Sequence, residues 1–198
     1  MRTPTWTLAA AALALTGCFG TSPPSRFYLL SATPPGPTSV PSPGPEAALG
    51  VFPTRVAAYL DRPQMVTFQG ENAVALDEYN RWAEPLGSGI SRVLAQELAT
   101  LLPSWRVVPQ PWDPTIPLRA RLVVDVTTLG WGPKGEVRLE ANWAVLESRG
   151  EFPLARGRSV LHRQASGQGT DAAVAAASAL VGEMAREIAA AVKAIPAS

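Results

Sequence analysis

The single cysteine of this 198-residue chain, Cys18, stands in a setting that suits covalent chemistry at its thiol. It follows Leu15-Thr16-Gly17, and a leucine, two small residues and a cysteine form the bacterial lipobox. At such a motif a diacylglyceryl group is attached to the sulfur, the chain is cut before the cysteine, and the new amino group is acylated. Because the other positions hold no cysteine, a chance cysteine behind an ordinary secretory signal is the weaker interpretation. We therefore predict lipidation of Cys18.

The residues around Cys18 predict how the chain is processed and anchored. Arg2 is followed by an almost unbroken apolar run at 6–15, too short for the roughly 20 residues of a membrane-spanning helix. Residues 1–17 are therefore predicted as a signal peptide, 18–26 as a lipidated tether and 27–198 as one folded domain. Phe19 occupies the place where an aspartate would favour inner-membrane retention. We expect a lipid anchor at the periplasmic face of the outer membrane, since two or more acyl chains hold a protein stably.

Few other residues could perform catalysis. The single histidine, His162, falls on a predicted strand, and no G-x-S-x-G motif surrounds any serine to complete a triad. Two or more Cys or His at zinc-ligand spacing and a phosphate-binding P-loop are both missing from the sequence. Asp77 and Glu78 are adjacent, so on a strand they would point to opposite faces. The sequence predicts no catalytic residues, no metal site and no cofactor.

The charge balance argues against nucleic acid as a partner. The chain has 17 basic and 16 acidic residues, and removal of residues 1–17 takes away Arg2, which leaves 16 of each. Nucleic-acid binding depends on Lys and Arg that neutralise phosphates, and the balanced composition gives no sign of a basic face.

Tryptophans are the candidates for a partner interface. Trp131 lies in the sequence GWGPKG, which predicts an exposed turn. Contact of its ring with a partner or membrane and an incidental surface position are about equally good explanations. Trp82 and Arg81 precede a predicted helix, and these two residue types dominate binding hot spots. For Trp82, a place in the core is the stronger alternative.

The elements that must position these residues follow from hydrophobic periodicity. A strand at 27–30 and a Pro-rich loop at 33–47 precede a predicted hairpin at 65–69 and 73–79. Apolar residues at helical spacing predict amphipathic helices at 85–102 and 170–194. Between the two helices, alternation of apolar and polar residues predicts an antiparallel meander with one packed face. Its strands are 119–129, 136–146 and 152–163, the last interrupted near Gly157. The predicted fold is α/β, a single domain with a mixed, largely antiparallel sheet packed by two amphipathic helices.

This order of motifs resembles the ABC-type transport auxiliary lipoproteins, the family of the PqiC-like intermembrane transport lipoproteins. Besides the lipobox, the resemblance rests on FYLL at 27–30, VAAYLDRPQMV at 56–66, the meander strands and the final Ala-rich helix. The most specific part lies within 79–105, where WAEPL is followed by LATLLPSW. The Pro-rich loop at 33–47 is longer than the family pattern leads one to expect.

The resemblance implies a non-enzymatic component of a lipid transport machine. Its expected partners are a periplasmic tunnel protein with mammalian-cell-entry (MCE) domains and the inner-membrane permease or ABC transporter of that system. A phospholipid ligand and a homo-oligomer are further expectations. The alternative is a stand-alone periplasmic lipoprotein that binds or modifies lipids, with a pocket between sheet and helices.

Overall fold

The computed structural model describes residues 23–33, 47–150 and 152–195. The predicted signal peptide, Cys18 and most of the predicted Pro-rich loop lie outside the described residues. The elements in chain order are β1 (Arg26–Tyr28), β2 (Ala47–Val51), β3 (Arg55–Val56), β4 (Gln64–Phe68), β5 (Val74–Trp82), α1 (Leu86–Leu101), β6 (Trp105–Pro109), β7 (Leu118–Trp131), β8 (Glu136–Glu147), β9 (Pro153–Gln164) and α2 (Gly169–Lys193).

The long strand β7 organises the sheet. One edge of β7 pairs with β8 in antiparallel register along its length, and β8 pairs with β9 in the same way. The other edge of β7 pairs in parallel with β2, then β3, then β4. From there the sheet continues from β2 to β6, and from β4 through β5 to β1. The sheet is mixed and open, and its longest ladders are antiparallel, so the predicted fold class is confirmed.

Alternation along β7 and β8 separates a covered face of the sheet from an open one. Leu122, Val124 and Val126 of β7 are at most 3% exposed, as is Leu139 of β8, while the residues between them are more accessible. Because successive strand side chains point to opposite faces, this pattern puts one apolar face against the helices. The predicted meander with a single packed face is confirmed.

The two amphipathic helices form the second layer. Ile90, Leu94 and Leu98 of α1 are fully buried at helical spacing, and Leu180 and Met184 of α2 join them in one hydrophobic core. Both predicted helices are confirmed to within one residue at each end. No described helix is both long and apolar enough to cross a membrane.

Strand β9 corrects one prediction. An interruption was expected near Gly157, but β9 runs without a break from Pro153 to Gln164. The glycine has a packing role instead, because a Cβ there would come within 2.3 Å of the Trp143 ring on β8. The Trp143 Nε1 group donates a hydrogen bond of 3.1 Å to Ser159 Oγ, which in turn donates one of 2.5 Å to Glu187 on α2.

Candidate functional site

His162 belongs to a surface charge cluster on the open face. It lies opposite Arg138 in the β8–β9 ladder, and its Nδ1 atom is 3.5 Å from Glu136 Oε1. The hydrogen bond from Arg138 is the main reason why the pKa of Glu136 is lowered, and His162 adds to the effect. Among the described residues no group of three or more His, Cys, Asp and Glu could hold a metal ion.

Further ion pairs cross the strands of the open face. Arg158 on β9 forms an ion pair with Glu140 on β8 at 2.8 Å. Arg55 on β3 forms a bidentate ion pair with Asp125 on β7. The pKa of Arg55 is raised, first by this hydrogen bond and then by the charge of Asp125. Exposed pairs of this kind contribute little to stability, because water screens their attraction. They place opposite charges side by side on this face of the ladder.

The predicted turn position of Trp131 is wrong. Trp131 is the last residue of β7, partly buried, and in register with Val137 of β8 and Thr67 of β4. The turn comes after it, closed by a hydrogen bond from the Gly135 amide to the Gly132 carbonyl. The sequence misplaced the boundary because Gly130 reads as a turn residue. In the sheet it allows close packing, since a Cβ there would lie 2.9 Å from the Val66 carbonyl.

Trp131 nevertheless lines a groove at the end of β7. The groove measures about 230 Å³ and also includes Pro133 and the start of α2 from Gly169 to Thr170. An aromatic ring that is partly exposed at such a rim has surface left for a partner. The interface role of Trp131 remains a prediction.

Trp82 is a core residue. It is 8% exposed, ends β5 and donates its backbone N–H to the Pro63 carbonyl at 2.7 Å. The alternative of a core position for Trp82 is thus confirmed. The residue also borders a cavity. The Arg81 side chain donates a hydrogen bond of 3.0 Å from Nε to the Glu78 carbonyl.

The structure does not bring the three candidate interface residues together. Trp131 is in register with Thr67 near one end of β4, whereas Arg81 is in register with Gln64 at the other end. Two separate surfaces therefore replace the single interface that the three residues suggested.

A cavity of about 330 Å³ lies beside Trp82 and is here called the Trp82 cavity. Its lining residues come from two short segments: Asp61, Arg62, Pro63, Trp82, Ala83, Glu84 and Pro85. Both segments belong to stretches on which the family resemblance rests. The Trp82 backbone bond to Pro63 holds them together, and α1 begins directly after Pro85.

Arg62 is the residue of this cavity that sequence reasoning missed. Its Nε atom is buried and has no hydrogen-bond partner among the described residues. The carboxylate of Glu84 is already engaged, because Arg92 bonds to it at 2.6 Å and also donates to the Leu30 carbonyl. The only sequence signal was the charged pair Asp61-Arg62 before a proline, which by itself suggests a turn.

The interior between sheet and helices is filled by side chains. Leu98 of α1, Leu122 of β7, Leu180 and Met184 of α2 are all less than 2% exposed. This packing argues against a large lipid pocket in the middle of the domain. The cavities described here lie at its rim.

Exposed apolar side chains collect at two edges of the sheet. Phe27 and Tyr79, on the neighbouring strands β1 and β5, are 65% and 43% exposed. At the opposite edge, Phe152 and Leu154, just before and on β9, are 80% and 42% exposed. Large exposed hydrophobics at strand edges are typical of surfaces that pair with another chain.

Comparisons with known proteins identify one family by its sequence model and two solved structures with a similar fold. The model of a family described as "ABC-type transport auxiliary lipoprotein component" matches residues 28–189. A crystal structure of an uncharacterized protein is similar, with a TM-score of 0.72 and 20% identity over 86% of this chain and 99% of that chain. Protein XCC0632 from Xanthomonas campestris, of family DUF330, has a TM-score of 0.64 and 17% identity over 82% and 92%. No curated protein matches the chain significantly.

Proposed function

The chain belongs to the family of ABC-type transport auxiliary lipoprotein components, and from this premise we propose a specific role in an MCE-type intermembrane lipid transport system. The protein is a non-enzymatic auxiliary lipoprotein, held at the periplasmic face of the outer membrane by acyl chains on Cys18. There it docks or receives the periplasmic tunnel protein, which an inner-membrane permease or ABC transporter supplies with lipid. The observation that carries this proposal is the family match over almost the whole folded domain.

The predicted anchor supports the membrane location. Each buried CH₂ of an acyl chain contributes about 0.8 kcal/mol, so two or three chains hold a protein stably. The Pro-rich tether between Cys18 and β1 would extend at about 3.1 Å per residue and leave the domain about 20 Å from the membrane. The domain can then meet a tunnel that approaches from the periplasm.

The domain surface supports a docking role better than a catalytic one. His162 is engaged in a surface charge cluster, while the Trp131 groove and the two apolar edges offer exposed rings to another protein. Such surfaces suit both docking of the tunnel and assembly of a homo-oligomer. The stand-alone lipid-binding protein remains the second candidate, because the rim cavities could hold part of a lipid.

Replacement of Cys18 by serine tests the anchor. Serine cannot accept the diacylglyceryl thioether, so Cys18→Ser should abolish palmitate labelling and move the protein out of the outer-membrane fraction. Palmitate incorporation and sucrose-gradient fractionation are the measurements. Label that persists in the serine variant, or a wild-type protein that fractionates with the inner membrane, contradicts the proposed anchoring.

Replacement of Trp131 tests the docking surface. If its ring is an anchor worth about 2 kcal/mol, Trp131→Ala should weaken capture of the MCE-domain protein roughly thirtyfold. The matched control is Trp112→Ala. That tryptophan is also partly buried, but it packs on Phe52 near the other end of β7, with ring centroids 5.0 Å apart.

The readouts of this experiment separate the two candidate functions. Co-purification of the MCE-domain protein with the anchored wild-type protein, reduced by Trp131→Ala and not by Trp112→Ala, supports docking. Equal capture by both variants removes Trp131 from the interface. Lipid that co-purifies with no protein partner favours the stand-alone lipid-binding protein.

A further inference from the structure

The Trp82 cavity contains an unusual arginine. A buried guanidinium N–H without a partner is costly, and in native structures such a group calls for an explanation such as an unseen water or ion. The Nε atom of Arg62 is in this position, and the Arg62 side chain lines a cavity large enough for a small ligand. Among the described residues, Arg62 also forms no ion pair.

The surrounding charges leave Arg62 free for an anion. Glu84 is neutralised by Arg92 at 2.6 Å, so it does not serve as the counter-ion of Arg62. At the edge of the cavity α1 begins after Pro85, and Glu84 Oε1 lies beside its first turn, 3.0 Å from where a Cβ on Gly89 would stand. The start of a helix attracts negative charge, and here the Glu84 carboxylate already lies beside it, so the guanidinium of Arg62 is the group of this cavity that is left for an anion.

We propose that the Trp82 cavity binds the phosphate of a phospholipid headgroup, with Arg62 as its main ligand. The flat guanidinium fork matches the oxygens of a phosphate ester. The carboxylate of Asp61, in the lining of the same cavity, complements the ammonium of an ethanolamine headgroup. The carbon surfaces of Trp82 and the two prolines lie against the glycerol.

The size of the cavity defines what it recognises. A volume of about 330 Å³ is at the lower end of the range of ligand pockets. It holds a headgroup and leaves the acyl chains outside, in a membrane or in a partner. The site therefore binds the headgroup of a lipid and does not enclose its acyl chains.

The position of the cavity favours a lipid over free phosphate. Tyr28 of β1 lies in register with Trp82, and the Ala83 amide donates to the Tyr28 carbonyl at 2.9 Å. Tyr28 is ten residues from Cys18, a span of at most about 36 Å when fully extended. The cavity thus lies beside β1, the strand that is nearest in sequence to the proposed anchor. This inference rests on the proposed lipid-transport role.

Titration with soluble short-chain lipids tests the site. The full-length lipoprotein in detergent is titrated by calorimetry with dihexanoyl-phosphatidylethanolamine, with inorganic phosphate and with dihexanoylglycerol, which lacks the phosphate. We expect binding of the phospholipid, and binding at least tenfold weaker with Arg62→Gln. Arg62→Lys should restore part of it, because lysine keeps the charge and loses the fork. Arg149→Gln, at an exposed arginine outside the cavity, is the matched control and should bind like wild type.

Several outcomes overturn the proposal. Equal affinity of wild type and Arg62→Gln removes Arg62 from the site. Equal affinity for inorganic phosphate and the phospholipid makes the cavity a phosphate site, and equal affinity for dihexanoylglycerol excludes phosphate recognition. Thermal melts accompany the titrations: binding that Arg62→Gln loses and Arg62→Lys partly keeps at the same melting temperature supports the site, and equal loss in both variants overturns it. Failure here leaves capture of the MCE-domain protein intact, whereas failure of that capture with phospholipid binding retained would contradict the proposed docking alone.

Discussion

The two faces of the β7–β8 ladder use the same strands in opposite ways. On the covered face, Leu122 and Leu139 are fully buried under the helices. On the open face, charged side chains such as Glu136, Arg138 and Glu140 pair with one another and with β9. Burial of apolar area contributes far more to folding than exposed ion pairs do. Stability should therefore depend on the covered face, which leaves the open face and the rim free to change for function.

The largest expected difference between the faces comes from neighbouring residues of β7. Leu122→Ala should lower the free energy of unfolding by about 3 kcal/mol, because it leaves a cavity in a packed core. Val123→Ala, one residue along on the open face, should cost less than about 1 kcal/mol. Urea titration of both variants measures the difference. Similar losses at the two positions would contradict the assignment of faces.

A second test concerns the close contact between Gly157 of β9 and the Trp143 ring on the covered face. Gly157→Ala brings a Cβ to within 2.3 Å of the Trp143 ring, so the ring must move from its site beside Ser159. Such overpacking costs about 1–3 kcal/mol. Gly132→Ala is the control, because a Cβ there meets nothing within 4 Å and should change stability little. Thermal unfolding compares the two, and a neutral Gly157→Ala would mean that the ring does not lie over the strand.

The covered face was predictable from sequence and the functional rim was not. Alternation and helical periodicity depend on residue type alone, so β7, β8 and both helices were found within a few residues. Gly130 and Gly157 were misread because a glycine that admits a close neighbour looks like one that makes a turn. The Trp82 cavity depends on contact between residues 61–63 and 82–85, and no local pattern reports which distant segments meet.

Family resemblance and physical pattern also contributed differently. The resemblance pointed to the stretches around Trp82 but assigned no role to Arg62. Its importance appears only when the unpaired Nε atom of Arg62, the cavity that its side chain lines and the Arg92 bond to Glu84 are seen together. For Cys18 the opposite holds: its predicted lipidation follows entirely from the residues next to it in sequence.

The smallest expected effect comes from the open face and concerns pH. The hydrogen bond from Arg138, together with the nearby charges of Arg138 and His162, holds the pKa of Glu136 below its ordinary value of 4.5. A carboxylate with a lowered folded-state pKa stabilises the protein above its unfolded pKa, and this contribution is lost as the pH falls through the folded value. Glu136→Gln should therefore flatten the decline in stability below about pH 4.5 while it changes neutral-pH stability only slightly, because the pair is exposed. Urea midpoints between pH 3 and pH 7, at low and high salt, measure this. A large loss at neutral pH would show that the open face contributes more to the fold than its exposure implies, and the contrast between the two faces would then fail.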